Sequence, residues 1–172
     1  MAQALVMFLD AAANVAIDEL RDQLAHHGLA GKATSTSPRH RPHISLAVAE
    51  AITLSDSSLT RRIARQRLDL RMELVGAFAG PQGILFLGVT VTQPLLEAHA
   101  AVHSSMTADG GGPWGHFRPG VWVPHCTLVS GLGGHALGKA VSLLHPFPEL
   151  AAHVSTIEIV DTQTGAAVAP SL

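Results

Sequence analysis

Two short stretches of the chain carry one pattern of reactive side chains. They are Arg41-Pro42-His43-Ile44-Ser45-Leu46-Ala47-Val48 and Val123-Pro124-His125-Cys126-Thr127-Leu128-Val129-Ser130. Each runs proline, histidine, any residue, hydroxyl residue, leucine. In a strand, alternate side chains share a face. His43 then stands with Ser45 and His125 with Thr127, while Ile44, Leu46, Cys126 and Leu128 turn toward apolar packing. An imidazole and a hydroxyl on each of two cleft walls suit in-line displacement at phosphorus. One imidazole removes a proton from the attacking oxygen and the other donates one to the leaving oxygen. The hydroxyls of Ser45 and Thr127 donate to the non-bridging oxygens as charge develops there. An imidazole with the ordinary pKa of about 6.5 works as acid or base near neutral pH. No metal is required by this scheme.

In a chain with 11 histidines, one His-x-Ser/Thr alone would read as a packed or surface residue. The weight lies in the joint occurrence: both follow Pro, both precede Leu, both follow a loop rich in chain breakers, and both hold equivalent places in a repeated order of elements. Residues 4–9 read as a buried strand. Residues 11–28 read as a helix with Val15, Ile17, Leu20 and Leu24 at helical spacing and Gly28 as its C-cap. The polar loop 31–42, broken twice by Pro, delivers a strand over 43–49. Residues 54–68 suggest a second helix with Ser and Asp capping candidates, and 70–78 alternate as a strand through Leu70, Met72 and Leu74. The turn Gly80-Pro81-Gln82-Gly83 leads into a strand over 84–91, a hairpin between the halves. The order then restarts: a helix over 93–106 with Leu96, Ala100 and Val102 inward, a breaker-rich loop 109–120, a strand over 121–129, a helix over 131–144 and a strand over 154–160. Leu70 and Ala152 each follow their half's motif histidine by 27 residues.

This economy predicts an α/β (α+β) fold built from duplicated β-α-β-α-β units, 1–80 and 83–163, in one two-lobed domain over 1–172; the resemblance given next implies that the lobes are pseudo-symmetric, with antiparallel-rich sheets flanking a central cleft. With those residues in place, the chain resembles the two-histidine (2H) phosphoesterase superfamily, specifically the bacterial and archaeal 2′-5′ RNA ligases or RNA 2′,3′-cyclic phosphodiesterases. The resemblance runs nearly the whole length, through His43-Ile44-Ser45-Leu46 and His125-Cys126-Thr127-Leu128. It implies two lobes around an open cleft and opening of a 2′,3′-cyclic phosphate to a 2′-phosphate. By it, His43 and His125 match the catalytic histidines and Ser45 and Thr127 the phosphate-binding hydroxyls. The chain departs from the family in lacking a basic residue soon after either motif, where it has Ala47-Val48-Ala49-Glu50 and Val129-Ser130-Gly131. That departure bears on RNA binding more than on chemistry.

Other residues are candidates for substrate contact. Arg41, with Arg39 and His40, precedes the first motif. The second loop offers Trp114, His116, Phe117, Arg118 and Trp122. Arg118 suits a bidentate phosphate grip, and Phe117 or Trp122 suits stacking on a base; solvated arginines and packed rings are the plainer readings. His99 and His103 stand four apart on the predicted helix without the accompanying residues of a metal motif. Gly110-Gly111-Gly112 lacks the order of a phosphate-binding loop and reads as a lid or linker. The basic run 60–67 reads as a solvated helix face. Cys126, opposite the histidines, reads as buried and inert.

Composition sets the outer bounds. The chain has 172 residues, a formal charge of −2 and a pI near 6.6. It therefore lacks the basic field that holds long duplex nucleic acid through many phosphates. The expected partner is a nucleotide or an RNA-end cyclic phosphate. No cofactor and no metal are expected. The lone cysteine forms neither an internal disulfide nor a multi-thiolate zinc site and fits the reducing cytoplasm. The first residues lack a basic leader region, and no apolar run reaches the roughly 20 residues that span a bilayer. A monomer is expected, with a dimer as the alternative. Competing functions are 2′-5′ joining of RNA ends, a non-catalytic binder of phosphorylated nucleotides or RNA ends, and an interaction protein with inherited motifs.

Overall fold

The computed structural model describes residues 2–31, 41–78, 80–81, 83–106, 112–147 and 149–168. Arg39, His40, Gly110 and Gly111 lie outside them. Among the described residues six strands and four α-helices follow in order: β1 (Gln3–Leu9), α1 (Ala11–His26), β2 (His43–Ala49), α2 (Leu59–Arg65), β3 (Asp69–Ala77), β4 (Leu85–Val89), α3 (Gln93–Ser105), a 3₁₀ turn (Gly115–Phe117), β5 (His125–Val129), α4 (Gly134–Leu144) and β6 (Leu150–Asp161). The strands form an antiparallel sheet in the order β2-β1-β6-β3-β4-β5. Exchanging β1 with β4, β2 with β5 and β3 with β6 returns the same order reversed. The last strand of each sequence half pairs with the first strand of the other half. Strand β6 makes the join: Leu150–His153 pair with β3, and Val154–Asp161 run along β1.

Helices pack on one side of this sheet. Leu5, Met7 and Leu9 of β1 point into a core shared with Ile17 and Leu24 of α1, Ile63 of α2, Leu95 and Val102 of α3, and Leu144 of α4. The alternate residues Ala4, Val6 and Phe8 join a smaller cluster on the opposite face with Val48, Phe117 and Val160. Strand β1 is thus buried on both faces, which explains its continuous apolar run. The caps follow ordinary chemistry. The Asp10 carboxylate accepts from the Ala13 amide at the start of α1, the Thr92 hydroxyl accepts from the Leu95 amide at the start of α3, and Gly28 supplies a positive φ of 72° just past α1.

Several details differ from the periodicity. Val15 is 59% exposed and Leu96 44%, and Ala100 is exposed as well. Helix α3 instead buries Leu95, Ala98, His99, Val102 and Ser105. Its inward face contains a histidine, which an apolar count does not select. Leu74 is exposed because the β3–β4 register shifts between Met72 and Leu74. Helix α2 is shorter than 54–68, α4 begins at Gly134, and β6 extends to both sides of 154–160.

Candidate active site

Strands β2 and β5 occupy opposite edges of the sheet, yet they pack against each other. The sheet curls until its edges approach. Cys126 of β5 marks the meeting point, with the backbone amide of His43 directed at its sulfur. Cys126 is fully buried, and burial pushes its thiol pKa up to about 11, so it is a packing residue and not a thiolate nucleophile.

Both motif strands show the same burial alternation: His43, Ser45, His125 and Thr127 are half-buried, while Ile44, Leu46, Cys126 and Leu128 are buried in the helical core. Both also carry a bulge at the same point. Leu5 pairs with Ala47 and Val6 with Ser45, leaving Leu46 without a partner in the ladder; Leu85 pairs with Val129 and Phe86 with Thr127, leaving Leu128 likewise. The extra residue resets the alternation. In β2, Ile44, Leu46, Ala47 and Ala49 face the helices, while His43, Ser45 and Val48 share the other face and line one cavity.

The two imidazoles are held alike. Nδ1 of His43 lies 2.8 Å from the Arg41 carbonyl oxygen, and Nδ1 of His125 lies 2.7 Å from that of Val123. A carbonyl only accepts, so Nδ1 carries the hydrogen in each ring and Nε2 carries the lone pair of the neutral form. Two imidazoles, each tied through Nδ1–H to its own strand, result from the same local turn into the motif.

Their surroundings differ. The ring of His43 meets the edge of Phe8 at 6.2 Å, and the Arg41 guanidinium lies over that same Phe8 ring at 3.8 Å while pairing with Glu158 at 3.9 Å. Beside His43 and Ser45 lies a cavity of roughly 90 Å³, floored by Ala4, Phe8 and Val160 and closed by Asp161 and Thr162. His125 is wedged between Phe78 at 4.7 Å and Phe86 at 5.4 Å. Burial pushes its pKa below the ordinary imidazole value; the Val123 carbonyl opposes this, and a charge on His116 adds to it. A larger cavity of about 300 Å³, lined by Ile52, Leu54, Thr60, Ile157 and Val168 among others, contains no motif residue, so size alone does not locate the chemistry.

The remaining candidates are placed as follows. Arg118 is exposed beside the 3₁₀ turn. Phe117 is buried in the cluster of Ala4, Val6, Phe8 and Val48. Trp122 is half-buried ahead of β5, stacked flat on His99 at 4.0 Å, and its Nε1 donates to the Ser45 carbonyl at 3.0 Å. His99 Nε2 donates to the Phe117 carbonyl at 2.9 Å and His103 Nε2 to the Leu46 carbonyl at 3.1 Å. Burial lowers the His99 pKa to about 4, with the neighbouring His103 adding to the shift. Among the described residues no group of three or more His, Cys, Asp or Glu is arranged to hold a metal ion. No helix among them is long and apolar enough to cross a membrane. Sequence reasoning passed over Phe8, Phe78 and Phe86, which lie outside the motifs, and Arg21 of α1, whose Nη2 donates to the Thr127 carbonyl at 2.8 Å.

Comparison with known proteins gives one family. A model described as the 2′-5′ RNA ligase superfamily matches residues 8–166, which include both motifs. No protein of curated function matches the sequence. Among solved structures the chain is similar to that of Kluyveromyces marxianus Usb1, with a TM-score of 0.48, 11% identity and 95% of each chain covered.

Proposed function

The chain belongs to the 2′-5′ RNA ligase superfamily, among the two-histidine phosphoesterases, and from that premise we propose that it is a metal-independent cyclic phosphodiesterase. It opens a 2′,3′-cyclic phosphate, on a nucleotide or at an RNA end, to a 2′-phosphate. The observation that carries this reading is the matched pair of imidazoles, His43 and His125, each with Nδ1–H tied to its own backbone, on two strands that touch. The palindromic strand order supports a duplicated origin for 1–80 and 83–163 within one bilobal domain.

In this reading His125, kept neutral by its aromatic surroundings, is the base. Its Nε2 takes a proton from water, the water oxygen bonds to phosphorus, and the bond from phosphorus to O3′ breaks. His43, protonated, gives its Nε2 proton to O3′. Exchange with solvent resets both rings. The hydroxyls of Ser45 and Thr127 donate to the non-bridging oxygens, where negative charge grows. Arg41 and Arg118 are the cations this reading assigns to the phosphate or the rest of the ligand. Phe117 and Trp122 support the site by packing rather than by stacking on a base. The buried thiol of Cys126 suits the cytoplasm.

The test is hydrolysis of the four 2′,3′-cyclic nucleotides and of a short RNA with a 2′,3′-cyclic end, in EDTA, by the parent protein and by folded His43→Ala and His125→Ala proteins. The expected result is a 2′-phosphate product, undiminished by the chelator and lost in both variants. A folded parent that binds these ligands without turnover points instead to a non-catalytic binder.

A further inference from the structure

Among the described residues the outer edges of β2 and β5 have no further strand to pair with, so their outward carbonyls would ordinarily meet water. At the hydroxyl residue of each motif something else happens. The Ser45 carbonyl accepts from Trp122 Nε1 at 3.0 Å, and the Thr127 carbonyl accepts from Arg21 Nη2 at 2.8 Å. Ser45 belongs to the first half of the chain and its donor to the second. Thr127 belongs to the second half and its donor to the first. Each donor is braced from behind. The Trp122 ring lies 2° from parallel on His99, which is 2% exposed and donates to the Phe117 carbonyl; the Arg21 side chain, 13% exposed, is also bonded to Asp18 at 3.1 Å.

Both bonds fall immediately before the unpaired bulge residue, Leu46 or Leu128. A bulge interrupts the ladder, so ties from outside it hold the backbone there; the Leu46 carbonyl itself accepts from His103 Nε2 at 3.1 Å. A hydroxyl one residue earlier points correctly only if some other tie holds that peptide. We propose that Arg21 and Trp122 are paired positioning residues: each clasps the backbone beneath the phosphate-binding hydroxyl of the opposite half, locking the two motif strands into one arrangement. This rests on the phosphodiesterase reading, in which Ser45 and Thr127 must meet the phosphoryl oxygens together.

The experiment compares the parent with Arg21→Met, Arg21→Lys, Trp122→Phe and the core variant Ile17→Val. It records kcat and KM on a 2′,3′-cyclic nucleotide, thermal stability, and the ¹³C carbonyl shifts of Ser45 and Thr127. Arg21→Met is expected to move the Thr127 shift alone and Trp122→Phe the Ser45 shift alone. Each should lower kcat about tenfold, the size of one lost hydrogen bond, with KM within about twofold because the bond acts on placement. Arg21→Lys retains a donor and should recover most of the loss, and Ile17→Val should keep kcat while losing stability. Carbonyl shifts that move while kcat stays at the parent value overturn the clasp and leave the phosphodiesterase reading standing. A kcat that tracks stability across all four variants also overturns it. A parent without turnover overturns both.

Discussion

Around the first motif the described surroundings are mixed: His43 meets the edge of Phe8, an arginine lies over that ring, and a small cavity lined in part by Asp161 adjoins Ser45. Around the second they are aromatic: Phe78 and Phe86 stack on each other at 4.3 Å and both turn against His125. Nearer the backbone the two places share the Pro before the histidine, the tie of Nδ1 to the carbonyl two residues back and the bulge after the hydroxyl. Backbone geometry thus sets which nitrogen is presented, and the second layer of side chains sets its affinity for a proton. A repeated strand can supply two equal imidazoles. In the proposed mechanism, unequal neighbours separate the base from the acid.

The comparison can be broken most directly at the rings themselves. His43→Ala and His125→Ala should each cost about 10³-fold in kcat, the usual contribution of one general acid or base, measured on protein whose circular dichroism is unchanged. If one of them keeps most of its activity, the two motifs are not functionally paired. Next in size, Ser45→Ala and Thr127→Val should each lose about 10²-fold, as donors to developing charge do; a loss confined to one would show that a single wall binds the phosphoryl oxygens.

The difference between the surroundings is sharpened by proton titration. Replacing Phe78 and Phe86 together with leucine and following the ring protons of His125 by NMR should raise its pKa toward the ordinary value, because water reaches the ring. The acid limb of the activity profile should move to higher pH with it, since a base works only when unprotonated. Phe8→Leu should leave the His125 titration where it is. The smallest effect is on stability. His99, held neutral with a pKa of about 4 against 6.5 in the unfolded chain, favours the fold fully above pH 6.5, and that stabilisation declines as pH falls toward 4 because only the unfolded chain takes up the proton. His99→Gln, which keeps an N–H for the Phe117 carbonyl, should flatten that decline in urea midpoints measured across the range.

The strands that carry the motifs, the antiparallel pairing of β3 with β4 and the burial of Cys126 were legible because each is written locally, in alternation, turn chemistry and residue type. The buried face of α3 was misread through Leu96 and Ala100 because His99 is satisfied by a carbonyl from a turn 18 residues away, and apolar periodicity does not register a polar residue whose partner is distant in sequence. Leu74 was misread for a related reason, since its alternation is interrupted by a register shift against β4. Arg21 carries no local signal, as it looks like one more polar position on a helix until α1 is laid beside β5. The sequence by itself determined two imidazole-hydroxyl pairs, their tie to strands and a repeated order of elements, all properties of short stretches. Only the tertiary structure decided that the third strand of each half crosses to the other, that the sheet edges meet at Cys126, and that one histidine sits among aromatic rings, because these depend on contacts between residues far apart in the chain.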